Sequence, residues 1–242
     1  MFVKHSLLFA ALLGFAAAAV PPYITVCGAK NPKLDECVIN SVNALIPKLR
    51  EGIPELDIPP LSPLTIERVA LADMPNFKAI GTDIKVVGLE NYHVNALHVD
   101  LEKHQIDIDV QFADIKLDAL YNVSAKILVP IEGKGPITLS AKDVNAKVTM
   151  IFKLVDRLGK MYLYFPSMTT RLDVHDYTVK FESETFDKTL QEAVSQALGS
   201  SHREVLDASR PNLEKAISAR VLELSNKICK HFSYDELFPD RE

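Results

Sequence analysis

The sequence contains no tryptophan, only three cysteines and only nine glycines among its 242 residues. It also lacks the signatures of common catalytic and metal sites: H-E-x-x-H, C-x-x-C, G-x-S-x-G and a phosphate-cradling glycine loop are all absent. Ser201 precedes His202, but a catalytic pair is assembled in space rather than along the chain, so a solvated loop is the better interpretation. The sequence therefore predicts that the protein is not an enzyme and binds no metal or cofactor.

An excess of positive charge is also missing. The chain has 27 Lys and Arg against 32 Asp and Glu, which gives a net charge of −5. Acidic and basic residues are mixed along the chain, so no basic patch of the kind that binds nucleic acid or anionic membranes is evident. We expect no nucleic-acid partner and no stable insertion into a membrane.

An uncharged apolar run does occur at the N-terminus. Lys4 and His5 precede residues 6–20, which carry no charge, and residues 16–19 are alanines that a signal peptidase would accept. A membrane anchor is the alternative, but crossing a bilayer takes about 20 apolar residues. The sequence predicts a signal peptide over residues 1–19, a single domain over residues 20–242, and secretion.

Two of the three cysteines follow this predicted signal peptide closely. Cys27 and Cys37 are ten residues apart, and in an oxidising compartment they should pair. They could instead form half of a zinc site, but no second pair of ligands follows. Cys229 lies on a helical pattern, and we expect a buried free thiol there.

The N-terminal third combines a helix with a proline-rich segment. Residues 36–50 carry one apolar stripe, and Asp35 is the predicted N-cap of this helix. Residues 52–63 contain four prolines, which exclude a helix and hold the chain extended. The apolar residues between these prolines indicate a strap that packs on the body of the protein.

From residue 64 to residue 181 the apolar period is two, which predicts long antiparallel strands with one dry and one wet face. Interruptions of this alternation predict turns at 133–136 and 158–160 and a bulge at Ala113-Asp114. From about residue 184 to residue 232 the period becomes helical, with an expected break at 199–201 and a kink at Pro211.

So long a helix needs a long apolar partner, and the dry face of the strands is the one available. The sequence therefore predicts an α+β fold, in which a highly curved antiparallel sheet wraps around a long C-terminal α-helix. A short N-terminal helix is tied to this body by a disulfide. The pattern leaves open whether the interior packs solid or forms an apolar tunnel.

If there is a tunnel, its lining should come from inward residues of the strands and the helix. The predicted ligand-binding residues on the strands are Ile106, Ile108, Val110, Ile127, Val148, Met150 and Phe152. Those on the helical segment are Leu190, Val194, Leu213, Ile217 and Leu224.

Two segments resemble a known family. The first contains Cys27 and Cys37 and ends in the motif G-I-P-E-L-x-I-P-P-L-x-P-L over residues 52–64. The second is F-S-Y-D-E-L-F-P over residues 232–239. In these motifs, in length and in strand–helix order, the chain resembles the insect takeout and juvenile-hormone-binding protein family. The resemblance implies a curved sheet around a long helix, an internal tunnel for a lipophilic ligand such as a terpenoid hormone, and secretion into haemolymph. It also implies a link to hormone transport or circadian rhythm.

The leading hypothesis is a secreted carrier of a small hydrophobic ligand, either a terpenoid hormone such as juvenile hormone or a fatty lipid. The alternative is a ligand-free secreted interaction protein with the same fold packed solid. Asn122-Val-Ser124 is the only N-x-S/T sequon. By strand parity it shares the wet face with Lys116 and Lys126, so Asn122 is a candidate for glycosylation.

Overall fold

A computed structural model describes residues 20–126, 130–200 and 202–241 of the chain. The predicted signal peptide over residues 1–19 and the predicted ligand-binding residue Ile127 lie outside these ranges. The strands are β1 (Leu64–Met74), β2 (Phe77–Val87), β3 (Tyr92–Asp100), β4 (Gln105–Lys126), β5 (Pro130–Arg157) and β6 (Lys160–Phe181). The helices are α1 (Leu34–Glu51), α2 (Lys188–Ser200), α3 (His202–Cys229) and α4 (Tyr234–Leu237), with a 3-10 helix at Pro54–Leu56.

All six strands form one antiparallel sheet in the order β1-β2-β4-β5-β6. β3 pairs with residues 105–112 of β4, and β2 pairs with residues 116–125 on the same side. β1 and β6 are therefore the two edges, yet α3 contacts both of them. The sheet curls so strongly that one helix bridges its edges, which confirms the predicted α+β fold with a highly curved sheet around a long C-terminal helix.

The alternation breaks at one level of the sheet in three neighbouring strands. Ala113, Asp143 and His175 lie side by side across β4, β5 and β6, and apolar residues change parity on either side of this row. The predicted bulge at Ala113-Asp114 is wrong, because the register between β4 and β5 passes this row without a shift. Because the parity changes at the same level in all three strands, their apolar side chains remain on the concave face.

The predicted turn at residues 133–136 is also wrong, because these residues lie within β5. Their glycines instead allow the segment after β6 to approach closely. A Cβ on Gly133 would lie 2.5 Å from the Phe186 ring, and one on Gly135 would lie 2.1 Å from the Glu182 carbonyl oxygen. The predicted turn at 158–160 is confirmed, since it joins β5 to β6.

α1 begins at Leu34, so the prediction of Asp35 as N-cap is wrong. The Asp35 carboxylate instead accepts a hydrogen bond from the Val99 backbone N–H at 2.8 Å and lies 3.1 Å from the His98 ring nitrogen. It thereby holds α1 against β3. The helix continues through Pro47 to its end.

The predicted Cys27–Cys37 disulfide is confirmed, and it ties the N-terminal segment to α1. Cys27 is buried, and its backbone N–H donates to the Leu237 carbonyl oxygen at 3.3 Å. The proline strap packs beneath this junction. Its buried residues form one apolar cluster with helix α3 and the chain end: Ile53, Leu56, Ile58, Leu224 and Phe232.

The predicted break at 199–201 includes residue 201, which lies outside the described ranges. α2 ends at Ser200 and α3 begins at His202, whereas α3 continues as a helix through Pro211. Among the described residues, no helix combines the length and the apolar character needed to cross a membrane.

Asn122 is exposed on the convex face of β4, where strand parity places it. We expect a glycan there in protein secreted from insect cells, because the sequon is accessible to the transferase. Digestion with an N-glycosidase should increase electrophoretic mobility, and Asn122→Gln should remove that shift. Secreted protein with unchanged mobility after digestion would show that the sequon is unused.

Candidate functional site

The line of contact between β6 and α3 is where the curled sheet closes. Two polar residues of α3 satisfy backbone groups of the unpaired β6 edge. The Asn226 amide accepts from the Phe165 N–H at 2.8 Å and donates to its carbonyl at 3.0 Å, and Glu214 accepts from the Leu172 N–H at 2.8 Å. On the other edge, Asn212 donates to the Leu71 carbonyl of β1 at 2.8 Å. We call the β6–α3 contact line the seam.

Between these polar contacts the seam opens into a groove of about 460 Å³. It is open to solvent along the seam. Its lining residues are Pro166, Ser167, Met168, Thr169 and Thr170 from β6, and Pro211, Glu214, Lys215, Ser218, Ala219 and Leu222 from α3.

The groove adjoins the apolar interior. Met168 and Leu222 line the groove and also pack against a buried cluster of strand residues. The buried members of that cluster are Val148, Met150, Phe152, Leu163 and Phe165. Met168 and Leu222 therefore lie between a molecule in the groove and this buried cluster.

Two hydroxyl groups lie in the groove wall. Thr170 is 4% exposed and Ser218 is 7% exposed, and their side-chain oxygens are 2.8 Å apart. A hydrogen bond between two hydroxyls uses only one of their two protons. The pair can therefore offer a second hydrogen bond to a polar atom in the groove.

The concave face of β4 is apolar but incompletely covered. β4 is a 22-residue strand with neighbours on both sides, and a strand so placed is normally covered by the core. Its inward residues are nevertheless all only half-buried: Ile106, Ile108, Val110, Phe112, Ile115, Leu117, Ala119, Tyr121, Val123 and Ala125. The inward side chains of β4 are thus partly accessible, although five of them also pack against buried clusters: Ile106, Ile108, Ile115, Leu117 and Ala119.

Tyr121 adds a polar atom to this surface. Its ring packs edge-on against Phe181 with centroids 5.8 Å apart. Its hydroxyl is buried and has no hydrogen-bond partner among the described residues. A buried hydroxyl without a partner costs about 1–3 kcal/mol, so it is a candidate contact for an oxygen atom of a bound molecule.

The structure gathers only some of the predicted ligand-binding residues. Ile106, Ile108, Val148, Met150 and Phe152 pack in one cluster, whereas Leu224 belongs to the cluster beneath the strap. Val110, Val194, Leu213 and Ile217 are half-buried, and Leu190 of α2 is exposed. None of the eleven predicted residues within the described ranges lines the groove.

The sequence pattern did not predict the groove residues, notably Thr170, Ser218 and Ala219. One signal was present: residues 166–170 read P-S-M-T-T and interrupt the apolar alternation between Phe165 and Leu172. A second was Ser218, a small polar residue next to Ile217 in the helical stripe. Both mark a place where strand and helix fail to pack tightly.

Two ionisable groups near the interior have shifted pKa values. Burial raises the pKa of the free Cys229 thiol to about 12, so it carries no thiolate at neutral pH. Asp107 lies on the convex face of β4. Hydrogen bonds from Thr149 and Gln105 hold the pKa of its carboxyl below the usual range. In the described part of the chain, no three His, Cys, Asp or Glu side chains are grouped as a metal site requires.

Comparison with known proteins agrees with this architecture. The haemolymph juvenile hormone binding protein family matches residues 6–239. A Schistocerca gregaria protein named "Putative beta-carotene-binding protein" is 25% identical over 222 residues, covering 90% of this chain and 89% of that protein. The Drosophila melanogaster "Circadian clock-controlled protein daywake" is 22% identical over 220 residues, covering 84% of each.

The crystal structure of Epiphyas postvittana Takeout 1 shows the same fold. Its TM-score against this chain is 0.75 at 18% sequence identity, with 89% of this chain and 99% of that chain covered. The family match and this structural likeness confirm the resemblance recognised in the two sequence motifs.

Proposed function

The chain belongs to the haemolymph juvenile hormone binding protein family, and from that premise we propose that it is a secreted carrier of a small hydrophobic ligand. The observation that carries this proposal is the half-buried concave face of β4. Apolar side chains that stay partly accessible along a central strand are energetically unfavourable in water, and an apolar ligand would cover them.

The energy available is sufficient for useful affinity. A ligand that buries roughly 400–500 Å² of apolar surface gains on the order of 10–12 kcal/mol. Association costs about 4 kcal/mol or more. At most about 6–8 kcal/mol remains, which corresponds to a dissociation constant of roughly 1–40 μM or weaker.

We propose that the ligand lies along the concave face and exchanges through the groove in the seam. Its class is a long apolar molecule, either a terpenoid such as juvenile hormone or a carotenoid, or a fatty lipid. The name of the Schistocerca gregaria relative supports an extended hydrocarbon. We further propose that residues 1–19 are removed on secretion into haemolymph and that the protein catalyses no reaction.

Binding is tested by titrating the protein with N-phenyl-1-naphthylamine, a probe whose fluorescence rises in apolar surroundings. Saturable enhancement that terpenoids and fatty acids reverse is the expected result. A probe signal that stays at the buffer level, with no competition by any lipid, would contradict the carrier function.

Tyr121→Phe should change the affinity for oxygenated ligands but not weaken the affinity for hydrocarbons. Removing the unpartnered hydroxyl should weaken binding of an oxygenated terpenoid such as farnesol about tenfold, because a buried hydrogen bond is lost. Binding of a hydrocarbon of equal length should stay the same or improve. Tyr164→Phe, an exposed tyrosine in β6, is the matched control and should change neither affinity. Equal effects on both ligands would exclude Tyr121 as a polar contact.

One observation favours the alternative of a ligand-free interaction protein. The cluster around Phe152 is closely packed: its ring lies 6.1 Å from Phe165 and 4.9 Å from His104, centroid to centroid. If the packing extended along the whole concave face, the protein would bind no lipid at all. The probe titration distinguishes these functions.

A further inference from the structure

The tip of the β5–β6 hairpin carries the most exposed apolar side chain among the described residues. Leu158 is 105% exposed, which means that its side chain touches nothing else in the protein. It lies between Arg157, the last residue of β5, and Gly159, which precedes β6. Nothing lies within 4 Å of where a Gly159 Cβ would be, so the turn projects freely into solvent.

Folding does not explain a leucine at this position. Leu158 has φ of 56° and Gly159 has φ of 80°, so both residues of the turn are left-handed. Such a turn favours asparagine or glycine, whereas a left-handed leucine is disfavoured by its Cβ. The side chain is thus unfavourable both in its backbone conformation and in its exposure to water. Leu158 is therefore a candidate contact to something outside the protein.

The residues beside Leu158 show what kind of contact this is. Arg157 stacks on Tyr162 and Lys153 on Tyr164, each with the charged group 5.3 Å from the ring centroid. Lys160 is the third cation, and its amino group is 4.0 Å from the Glu236 carboxylate. Met161 and Tyr164 are both more than one-third exposed. We call residues 153–164 the hairpin tip.

Residues 153–164 contain three cations and one acidic residue, Asp156, and Glu236 of α4 lies beside Lys160. The tip therefore keeps a small net positive charge, although the whole chain carries −5. The mixed charge of the sequence as a whole therefore conceals one local basic cluster. An apolar side chain at the apex, flanked by tyrosines and by long cationic side chains, is the composition of elements that sit at a membrane–water interface. The rest of the surface is more acidic still, so an anionic bilayer would attract the tip and repel the remainder.

We propose that the hairpin tip docks the protein on the surface of an anionic phospholipid bilayer. Leu158 enters the acyl-chain boundary, the two tyrosines lie at the headgroup level, and Lys153, Arg157 and Lys160 contact lipid phosphates. A single projecting side chain is too small to form a protein–protein interface, which takes about 800 Å² from each partner. This contact is reversible, because one apolar side chain and three cations do not anchor a protein permanently.

Docking at this tip would bring the groove close to the bilayer. The groove begins at Pro166, six residues after Lys160 along β6, which is about 20 Å at the rise of a strand. A docked protein could thus exchange an apolar ligand with the membrane without carrying it far through water. This exchange role rests on the proposed carrier function, whereas the docking itself does not.

Flotation of protein purified from the medium of secreting cells tests the docking. The protein should float with vesicles of phosphatidylcholine and phosphatidylserine (7:3), float much less with phosphatidylcholine alone, and be released by high salt. Leu158→Asn should lower partitioning onto the mixed vesicles at least about tenfold. Because asparagine suits the left-handed turn, this variant should unfold at the same temperature as the wild type or higher.

Leu120→Asn is the matched control, since Leu120 is 46% exposed on β4, away from the tip. It should float like the wild type, whereas Arg157→Glu should lose its preference for anionic vesicles. The proposal is overturned if the wild type stays with the soluble fraction on both vesicle types, or if Leu158→Asn floats as well as the wild type. If the protein floats with anionic vesicles but the fluorescent probe does not bind, the carrier function is refuted and the docking proposal still holds.

Discussion

Ala219→Trp should lower the affinity for a terpenoid ligand at least about tenfold, a change of about 1.4 kcal/mol. Ala219 is exposed and lines the groove opposite residues 166–170 of β6. An indole at this position would occupy the opening in the seam and block the approach to Met168 and Leu222. Competition against N-phenyl-1-naphthylamine measures the affinity, and stopped-flow mixing should show that association slows more than dissociation.

The control for this variant is Ala44→Trp, which places the same indole on an exposed position of α1, away from the seam. Both variants should unfold at the wild-type temperature, because neither alanine is buried. If Ala219→Trp binds ligand as tightly and as quickly as the wild type, the groove is not the route of exchange, whatever the ligand is.

Replacing both Cys27 and Cys37 with serine should lower the free energy of unfolding by about 3 kcal/mol. In the chain-entropy model, opening so short a loop frees the unfolded chain by about this amount. The disulfide also supports the junction of the two chain ends, where the Ala29 N–H donates to the Pro239 carbonyl at 2.8 Å. Urea denaturation of the wild type, with and without reductant, gives the same comparison without mutation.

Cys229→Ala is the matched control, because it removes the free thiol and leaves the disulfide in place. It should cost no more than about 1 kcal/mol, and reductant should still destabilise it by the full amount. A double serine variant as stable as the wild type would show that the N-terminal segment is held by packing alone.

The strand pattern was the most informative part of the sequence. Period two over residues 64–181 predicted the sheet, because each strand buries one face only. The interruption of the alternation at Ala113 was also visible in the sequence, but the sequence did not show whether it marks a bulge. Whether a break is a bulge or a shared switch depends on Asp143 and His175 in the neighbouring strands, and a single strand does not reveal its partners.

The seam illustrates what sequence pattern leaves out. The contact of Asn226 with Phe165 joins residues 61 positions apart, and that of Asn212 with Leu71 joins residues 141 positions apart. Amides on a helix surface ordinarily face water, so nothing local marks these two as partners of a sheet edge. The apolar interior was predicted from periodicity, whereas the groove arises from poor packing between two elements that are distant in sequence.

Native mass spectrometry of the protein purified from secreting insect cells tests the central claim most directly. We expect a species heavier than the polypeptide and its glycans by the mass of one small lipid. Organic extraction should remove this lipid, and Ala219→Trp should carry less of it than Ala44→Trp. A protein that shows only its ligand-free mass, even after incubation with excess terpenoid, carotenoid and fatty acid, would contradict the carrier function and favour a ligand-free interaction protein.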